Sequence, residues 1–397
     1  MNIGIVSPFN PYYVRNYISS HENIPQINSN ATSVNTLVVS FLEQGHNVIV
    51  FTTTTAPHHT TVYKGKQLEI HVLSKVFHPK GMSNLRIVRK LRNEIKKCIN
   101  NIDVLHAHWT YEYAASIRRF EQRIPTFCTI RDWCPYQCSL AVGIRAKYSW
   151  WINSLLFVYV MKSKSISFIA NSAYTYKMVT LSYHDKQISC IPNSIQREFI
   201  LNTRKARGKE RIYISICQNV EERRKNIKAL LKAFQKYKKQ YKESKLIIVG
   251  SYSDKWKIHY GKFQLLHGVY LAGKVQHDEI FPLLDQSCAL IHPSFEETFG
   301  NIFLEAMARR VVCIGGYDAG AVPEILGEGK RGILCNVRDI NSILNAMKRI
   351  DDVDYIEDIL NNASSYIKEQ YADDVVSQKH IELYKKKLKN TKTKGRN

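Results

Sequence analysis

Short apolar runs that end in turn residues alternate along this chain with segments of helical periodicity. NIGIVSP opens the chain as a strand, TLVVSFLEQG follows as an amphipathic helix closed by Gly45, and NVIVFTT is a second strand. Further strands are predicted at IDVLHAHW, PTFCTI, SFIANS and SCIPNSI (residues 102–109, 125–130, 167–172 and 189–195). This alternation of strand and helix is typical of parallel α/β sheets.

The same rhythm restarts after residue 196. RIYISIC precedes a basic helix, and KLIIVGS, GVYLAGKV, CALIHPS and VVCIGG are further strands, each followed by a helix or loop. The pattern predicts two Rossmann-like, doubly wound α/β domains, residues 1–196 and 197–370, and a closing helix over residues 371–390. Because ligands of such sheets bind beyond the carboxyl ends of the strands, we expect the site in a cleft across which the two domains face each other.

Composition narrows the class of protein and of partner. Of 397 residues 44% are apolar and 23% are charged, which favours a folded chain, and the length suits two domains. Lys and Arg outnumber Asp and Glu by 57 to 34, which gives a formal charge of +23. Such an excess attracts polyanions: nucleic acid, an anionic membrane surface or phosphorylated substrates. Solvated faces of basic helices, as in RRKNIKALLKAFQKYKKQYK, explain it equally well.

Cysteine usage and the apolar segments indicate the compartment. Nine cysteines without metal-ligand spacing predict reduced thiols and a cytoplasmic chain. The N-terminus MNIGIVSPFNPYY lacks the basic and apolar regions of a signal peptide. WWINSLLFVYVM (150–161) is far shorter than the roughly 20 residues of a membrane-spanning helix. We expect a buried helix there. The alternative is a helix in a membrane interface, with the chain peripheral on the inner face of the membrane.

Two glutamates bracket the start of a predicted helix in HPSFEETFGNIFLEAMA (292–308). Glu297 lies in the loop after the strand CALIHPS, and the helix begins near Gly300. A helix start offers unpaired N–H groups and a positive dipole end to a phosphate, and glycine lets a ligand approach the backbone. Glu305 lies roughly 7–8 Å further along the helix at 1.5 Å per residue. The pair suits hydroxyl groups on either side of a diphosphate; two solvated glutamates beside an ordinary helix are the plain alternative.

The run PSFEETFGNIFLEAMA resembles the E-x7-E signature of retaining glycosyltransferases of family 4, which have the GT-B fold. GYDAGAVPEI (316–325) resembles the glycine loop after the signature helix, and SICQNVEERRKNIKALLKAF (215–234) the segment with a basic residue on the donor diphosphate. VYLAGKVQHDEIFPLLDQSCALIHPS resembles the base-binding loop and the next strand. Counterparts of IDVLHAHW, PTFCTIRDWCPY, FIANS, CIPNSI and the closing YADDVVSQKHIELYKKKL extend the resemblance over nearly the whole chain.

The resemblance implies a role for each matching residue. Glu305 would hold the ribose hydroxyls of a nucleotide sugar, Glu297 would contact the transferred sugar, and Lys225 would neutralise the leaving diphosphate. His108 lies where the family often has a histidine, at the cleft edge of a strand, and Arg131 lies near the donor sugar. The expected catalytic residues are Glu297, Lys225, His108 and Arg131. The expected donor-binding residues are Glu305, Phe299, Gly300, Asn301, Asn219, Arg224 and, bordering the base, Gly273, Lys274 and Val275.

The implied reaction moves a sugar from a UDP- or GDP-linked donor to a glycan or lipid-linked acceptor, with retention, in surface polysaccharide assembly. Breaking the donor bond puts negative charge on the β-phosphate, which a cation and a helix N-terminus aimed at it stabilise. Enzymes of this kind need no metal and no cofactor. The expected partners are the nucleotide sugar, the acceptor and an anionic membrane surface, but not nucleic acid.

Several positions depart from the family pattern. The usual His-Asp is Arg131-Asp132, which keeps hydrogen-bond donors but cannot act as a base. The usual Gly-Arg is Gln218-Asn219, so Arg223 or Arg224 would supply the missing cation unless both are merely exposed. The other departures are Gly320-Ala321 for a glycine pair, Arg310-Val311-Val312 for a Gly-x-Pro turn, and INSNATS (27–33) for the Gly-Gly loop that normally meets the acceptor or the donor phosphate.

These departures leave alternatives to an active transferase. One is a catalytically silent GT-B subunit that supports a partner transferase, and another is a nucleotide-sugar epimerase. A nicotinamide oxidoreductase is disfavoured because no Gly-x-Gly-x-x-Gly follows the first strand. We expect His292 to pack at a strand end without a catalytic role, and His106 to lie in the core on the opposite face of its strand from His108.

Overall fold

A computed structural model of the chain describes residues 1–19, 24, 27, 31–55, 60–75, 83–200, 210–262 and 264–394. The fold divides into two compact units. The first comprises Met1–Ser194 together with Asp373–Asn397, and the second comprises Ile195–Ala372.

The strands are β1 (Asn2–Val6), β2 (Asn47–Thr54), β3 (Thr61–Lys64), β4 (Leu68–Ser74), β5 (Val104–His108), β6 (Thr126–Ile130), β7 (Ser167–Ala170), β8 (Ile188–Cys190), β9 (Ile212–Asn219), β10 (Lys245–Ser251), β11 (Val269–Gly273), β12 (Ala289–His292), β13 (Val312–Gly316) and β14 (Ile333–Cys335). The α-helices are α1 (Thr32–Glu43), α2 (Ser83–Cys98), α3 (Glu112–Ile117), α4 (Cys134–Ser139), α5 (Ile144–Met161), α6 (Ala173–Ser182), α7 (Ile227–Gln240), α8 (Asp254–Lys262), α9 (Ile280–Asp285), α10 (Asn301–Ala308), α11 (Val322–Ile325), α12 (Ile340–Lys348), α13 (Val353–Gln370) and α14 (Asp373–Lys394).

The first unit is built on an eight-stranded sheet in the order β3-β4-β2-β1-β5-β6-β7-β8. Its neighbouring strands are parallel except for the antiparallel pair β3 and β4. Ile3 and Ile5 of β1 are fully buried in the same cluster as Phe41 of α1 and Tyr384 of α14. Leu105 of β5 belongs to a second cluster, with side chains of α2, α3 and α5. Helices therefore cover both faces of the sheet, as a doubly wound fold requires.

The second unit has a six-stranded, parallel sheet in the order β11-β10-β9-β12-β13-β14. Phe234 of α7 and Met347 of α12 pack with Ile314 of β13 in one buried cluster. From the central strand β9, the chain builds the sheet first on one side, through β10 and β11, and then on the other side, through β12, β13 and β14. Ligands of such sheets bind at the carboxyl ends near this switch point, where the turn after β9 and the loop after β12 lie.

The sequence analysis missed three strands. β3 and β4 lie between the predicted second and third strands, and β14 follows β13. β3 and β14 are only four and three residues long, too short for a clear period. SCIPNSI was predicted as a strand to residue 195, but β8 ends at Cys190, before Pro192. Part of the INSNATS segment, residues 28–30, lies outside the described residues.

The segment 150–161 lies in α5, as a helix was predicted there. Only one face of this helix is buried, whereas the other is exposed. Ile152, Leu156 and Phe157 are buried in the first unit. Trp151 and Leu155, by contrast, are 56% and 51% exposed. No helix within the described residues is long and apolar enough to cross a membrane.

Candidate active site

The turn after β9 and the loop after β12 are joined by hydrogen bonds in the second unit. The backbone N–H of Phe295 donates to the carbonyl of Arg224 at 2.9 Å, and Arg224 Nη1 donates to the carbonyl of Glu296 at 2.8 Å. Asn226 has a left-handed backbone (φ 54°), and its Nδ2 donates to the carbonyls of Pro293 and Val337. These bonds place the basic turn directly against the glutamate loop.

Glu297 lies at the centre of a buried polar cluster. Its Oε1 is 2.7 Å from Lys225 Nζ, 3.2 Å from Arg224 Nη1 and 2.9 Å from His292 Nε2. Arg224 Nε also donates to Glu222 at 2.9 Å. The structure thus brings together Lys225, Glu297 and Arg224, all predicted as site residues. His292 packs at the end of β12 as predicted, but it also holds Glu297, which the sequence analysis did not foresee.

The charges of this cluster stabilise one another. Burial opposes the charged form of Glu297, but Lys225, His292 and Arg224 hold the pKa of its carboxyl well below the usual value. Burial lowers the pKa of His292, despite its bond to Glu297. Glu297 is therefore an anion and His292 is neutral at pH 7. An imidazole whose Nε2 carries the proton donates a hydrogen bond to Glu297. Because Glu297 is ionised, it has no proton to donate and cannot act as a general acid.

The backbone of Glu297 is fixed against a glycine that follows β13. The N–H of Glu297 donates to the carbonyl of Ala319, and its carbonyl accepts from the N–H of Ala321 at 2.8 Å. Gly320 between them has φ +69°, and a Cβ there would lie 2.3 Å from the carbonyl oxygen of Glu297. Close approach therefore requires glycine at 320, whereas alanine is accommodated at 321, where it is buried without strain.

Helix α10 begins where the sequence predicted. Gly300 caps it in a left-handed conformation (φ 89°), and the first helical residue is Asn301. Phe299 is buried and packs its ring against Tyr371, 5.9 Å between centroids. The start of α10 thus immediately follows the loop that carries Glu297, and its leading N–H groups suit an anion.

Glu305 lies inside α10 and has a partner that the sequence analysis missed. His277 Nε2 lies 3.0 Å from Glu305 Oε1, and His277 follows the loop of Gly273, Lys274 and Val275. Burial lowers the pKa of His277, but the hydrogen bond and charge of Glu305 outweigh it, and the net pKa is raised. The predicted base-side loop and the predicted ribose-binding glutamate are therefore connected through one histidine.

The remaining donor-side predictions lie at the same sheet edge without contacts to Glu297 among the described residues. Gly273 ends β11 with φ +71°, Lys274 is exposed and Val275 is half-buried. Asn219 is exposed at the end of β9, and its Oδ1 accepts from the N–H of Glu221. Arg223 is exposed whereas the Arg224 side chain is mostly buried and lies against Glu297.

His108 and Arg131 form a second polar group, in the first unit. Arg131 Nη2 lies 2.9 Å from His108 Nδ1, and Arg131 Nη1 donates to Ser33 Oγ at 2.8 Å and to Asn193 Oδ1. Burial lowers the pKa of Arg131 to about 9, so it stays protonated at pH 7. The pKa of buried His108 is well below its usual value. His108 is therefore neutral and accepts at Nδ1, with its proton on Nε2.

This arrangement fixes which ring nitrogen of His108 carries the proton. Among the described residues, Nε2 of His108 has no hydrogen-bond partner. Since Arg131 occupies Nδ1, the proton of neutral His108 stays on Nε2, and that atom is fully buried. Arg131, at the position of the usual histidine, sets this tautomer.

The predicted orientation of His106 was wrong, although its burial was right. The rings of His106 and His108 lie 4.2 Å apart on the same face of β5. Side chains alternate along a strand, so residues two apart share a face. His106 Nδ1 lies 2.6 Å from the hydroxyl of Tyr384, and its Nε2 2.8 Å from Thr129 Oγ1. His106 thus ties β5 to α14 and is a core residue.

Two further sequence patterns have structural explanations. Arg310, where the family has glycine, adopts φ 53° at the end of α10 and is held by Glu357 at 2.7 Å and by Asn361. An Asp-x-Asp sequence lies at 352–354, but Asp352 caps α13 by accepting the N–H of Tyr355. That aspartate is a helix cap.

The chain has two Rossmann-like units, and the second unit carries a basic turn, a glutamate loop and a glycine-capped helix. This combination is typical of the GT-B class of glycosyltransferases. Solved structures agree: the chain is similar to sucrose-phosphate synthase from Thermosynechococcus elongatus, with a TM-score of 0.79, 16% identity, and coverage of 98% of this chain and 100% of that one. At this identity the similarity concerns the fold.

Family models match both units. Residues 31–199 match the model described as Glycosyltransferase Family 4, and residues 196–369 match Glycosyl transferases group 1. The chain belongs to glycosyltransferase family 4. It is 23% identical over 305 residues to N-acetyl-alpha-D-glucosaminyl L-malate synthase of Bacillus anthracis, covering 74% of this chain and 77% of the relative. It is 22% identical over 342 residues to alpha-monoglucosyldiacylglycerol synthase of Acholeplasma laidlawii, covering 80% and 84%.

Proposed function

We propose that this glycosyltransferase transfers a sugar with retention from a nucleoside diphosphate donor to a glycan or lipid-linked acceptor, without a metal ion. The observation that carries the proposal is the pairing of Lys225 with Glu297 beside the start of α10. A buried ammonium group next to a helix N-terminus is suited to a diphosphate, and the glutamate keeps that ammonium in place.

The proposed chemistry concentrates on the leaving group. The bond between the anomeric carbon and the β-phosphate oxygen breaks, and the acceptor oxygen bonds that carbon on the same face. The acceptor proton passes to the departing phosphate. Lys225, Arg224 and the N–H groups of α10 stabilise the charge that develops on that phosphate. Glu297 holds both cations through Oε1, which leaves its second oxygen for a sugar hydroxyl. Glu305, oriented by His277, accepts from the ribose hydroxyls.

A ligand screen followed by a rate measurement tests this function. UDP-, GDP- and ADP-linked sugars are first compared for their effect on the melting temperature, since a ligand of the native state raises it. The responsive donor is then incubated with the protein, and both released nucleoside diphosphate and donor epimer are measured. Release of the diphosphate supports a transferase. An epimerised donor would indicate an epimerase, and binding without turnover, with glycan and glycolipid acceptors supplied, would indicate a silent subunit.

We further propose an anionic membrane surface as the acceptor's location. The exposed apolar side chains of α5 follow a helical spacing: Ile144, Tyr148, Trp151, Leu155, Val158 and Tyr159. Exposed cations lie at both ends of the helix, Arg145 and Lys147 at its start and Lys162 and Lys164 after its end. An apolar stripe between cations is suited to a bilayer with negatively charged headgroups. One relative is named alpha-monoglucosyldiacylglycerol synthase, and this name supports a membrane location of the acceptor.

Vesicle binding tests the membrane proposal. Binding should rise with the fraction of anionic lipid and fall with salt, because the attraction is screened within about 10 Å at 0.1 M. Replacing Trp151 and Leu155 by serine should weaken binding, whereas Leu181→Ser, at an exposed apolar residue of α6, should not. Equal binding to neutral and anionic vesicles would exclude the charge contribution, and binding to neither would indicate a soluble acceptor.

A further inference from the structure

A cluster of metal-ligating side chains lies in the first unit, apart from every residue assigned to the transferase reaction. Glu69 and His71 stand two residues apart on β4 and so share a face of the strand. Cys98 is the last residue of α2, which packs over that face. The ligand atoms of these three residues all lie within 4.8 Å of one another.

The two ring nitrogens of His71 have different environments that together suit a metal ligand. Nδ1 lies 3.0 Å from Oε1 of Glu94, a buried carboxylate whose other oxygen is held by Lys97 at 2.7 Å. Nε2 lies 2.8 Å from Oε1 of Glu69 and 3.7 Å from Sγ of Cys98. A carboxylate that accepts the Nδ1–H and leaves Nε2 as the ligand is the usual support of a metal-bound histidine.

The contact between His71 and Glu69 needs a cation. A neutral imidazole has one N–H, so whichever carboxylate accepts it, the other ring nitrogen directs a lone pair at a carboxylate oxygen 2.8–3.0 Å away. Either a second proton or a metal ion must neutralise this arrangement. The sulfur of Cys98 beside the same nitrogen is a ligand that a soft metal favours.

The separation of nitrogen and sulfur suits tetrahedral zinc, whereas the 2.8 Å between His71 Nε2 and the Glu69 oxygen is too short for two ligands of one ion and requires that carboxylate to rotate outward. With ordinary bond lengths, zinc separates a histidine nitrogen from a cysteine sulfur by about 3.6 Å and from a carboxylate oxygen by about 3.4 Å. The observed separation of nitrogen and sulfur is 3.7 Å. The Glu69 side chain is 30% exposed and can rotate outward to complete the set. Phe51 stacks on the His71 ring at 4.9 Å, which fixes the ring plane.

We propose that Glu69, His71 and Cys98 bind one zinc ion, with a water molecule as the fourth ligand and Glu94 orienting His71. The ion would join β4 to the end of α2 and so stabilise the first unit. It would take no part in sugar transfer, since none of these residues belongs to either polar group described above.

Cobalt spectroscopy of the full-length, tag-free protein tests the proposal. The protein is treated with chelator, desalted under reducing conditions and titrated with Co²⁺, whose thiolate complexes absorb in the near ultraviolet. We expect one equivalent to bind with a thiolate band and a tetrahedral visible spectrum, and one equivalent of Zn²⁺ to displace it. Cys98→Ser should lose the thiolate band, and the matched variant Cys190→Ser, at an exposed cysteine, should keep it.

Two more variants separate ligands from support. Glu69→Gln, at a partly exposed position, should weaken Zn²⁺ binding at least about tenfold, and Glu94→Gln should weaken it by about 10–100-fold while leaving the cobalt spectrum unchanged. Zn²⁺ should raise the melting temperature of the wild type but not of Cys98→Ser. Absence of a thiolate band in the wild type, or its retention in Cys98→Ser, would overturn the proposal in favour of a protonated His71 between two carboxylates.

Discussion

Oε1 of Glu297 is contacted by side chains from two segments that are far apart in sequence, Arg224 and Lys225 after β9 and His292 at the end of β12. One carboxylate oxygen thus positions both cations that would receive the leaving diphosphate. Burial would favour the neutral carboxyl, but the two cations hold it ionised. Removing this charge should therefore lower turnover without weakening the binding of the nucleoside diphosphate.

Replacing Glu297 by glutamine should leave binding of free nucleoside diphosphate unchanged or up to about tenfold tighter, because a negative charge beside Lys225 disappears. Turnover should fall, because Lys225 and the sugar lose their positioning group. Calorimetry with the bare nucleotide and steady-state rates measure both effects. Glu222→Gln is the matched control and should keep near-normal turnover, because the Glu222 carboxylate contacts Arg224 and the substitution leaves the backbone bond of Glu222 to Lys225 in place. Weaker nucleotide binding in Glu297→Gln would contradict this role.

Glu305→Ala should weaken the free nucleoside diphosphate and the sugar nucleotide alike. Loss of a hydrogen bond to a charged group costs roughly 1.5–3 kcal/mol, or about ten- to a hundredfold in affinity. Calorimetric titration of both ligands measures the change. A loss confined to the sugar nucleotide would place Glu305 at the sugar instead of the ribose.

The His277–Glu305 pair should make stability depend on pH. Its bond to Glu305 raises the pKa of His277, so the native state binds this proton more tightly than the unfolded state. The stabilisation is present below the ordinary histidine pKa of about 6.5 and is lost as the pH rises through the raised value. Urea unfolding should therefore show a larger gap between wild type and His277→Gln at pH 5.5 than at pH 9.

The local sequence pattern predicted those candidate site residues that lie in one continuous segment. It did not predict the contacts that they make with other segments. Glu297, Gly300 and Glu305 follow from a strand, a turn and a helix in succession. His277 and His292 were missed as partners because their contacts depend on tertiary packing. The error for His106 was its predicted orientation, opposite to His108. Residues two apart on a strand share a face, so the sequence alone could have corrected it.

At the scale of elements, the loop after β12 depends on the turn after β13. Glu297 and Gly320 are joined by a short stretch of parallel backbone bonding. That the turn needs glycine at 320 but not at 321 follows from contacts between segments, and no single stretch of sequence reveals it. β3 and β14 were unpredictable for a related reason: three or four residues gain their strand conformation from the neighbour with which they pair.

Gly320→Ala should lower turnover and stability together. Its left-handed backbone costs alanine about 1 kcal/mol, and the added Cβ meets the Glu297 carbonyl. Gly329→Ala is the matched control, because Gly329 also has positive φ (+96°) but nothing lies within 4 Å of an added Cβ. It should lose a similar amount of backbone stability and keep its turnover, as denaturation and rate assays would show. Equal turnover in both variants would contradict the positioning of Glu297 by this turn.

At the scale of the whole molecule, the alternation of strands and helices predicted the fold class, and the ordered motifs predicted the family. Each unit carries a separate group of expected site residues: His108 with Arg131, and Lys225 with Glu297. The formal charge of +23 does not reveal its partner, because helix faces and functional surfaces contribute to the same sum. Only the structure distinguishes exposed Arg223 from the mostly buried side chain of Arg224.

If, as proposed, Lys225, Arg224 and the start of α10 stabilise the leaving group, excess chelator should leave the transfer rate unchanged at a temperature well below melting. The same treatment should lower the melting temperature of zinc-loaded protein. Rates and thermal unfolding measured on one sample separate the two effects. A strict requirement for Mg²⁺ or Mn²⁺ in transfer would show that the phosphate site has been misplaced.

The central claim is that Lys225 stabilises the leaving diphosphate, and the most direct test is the rate of diphosphate release by Lys225→Gln. Removal of one such group typically lowers turnover by about 10²–10³-fold. Lys228→Gln, three residues further on at an exposed position of α7, should retain the wild-type rate. The account predicts this contrast in folded variants with the responsive donor at saturation. Wild-type turnover in folded Lys225→Gln would contradict it.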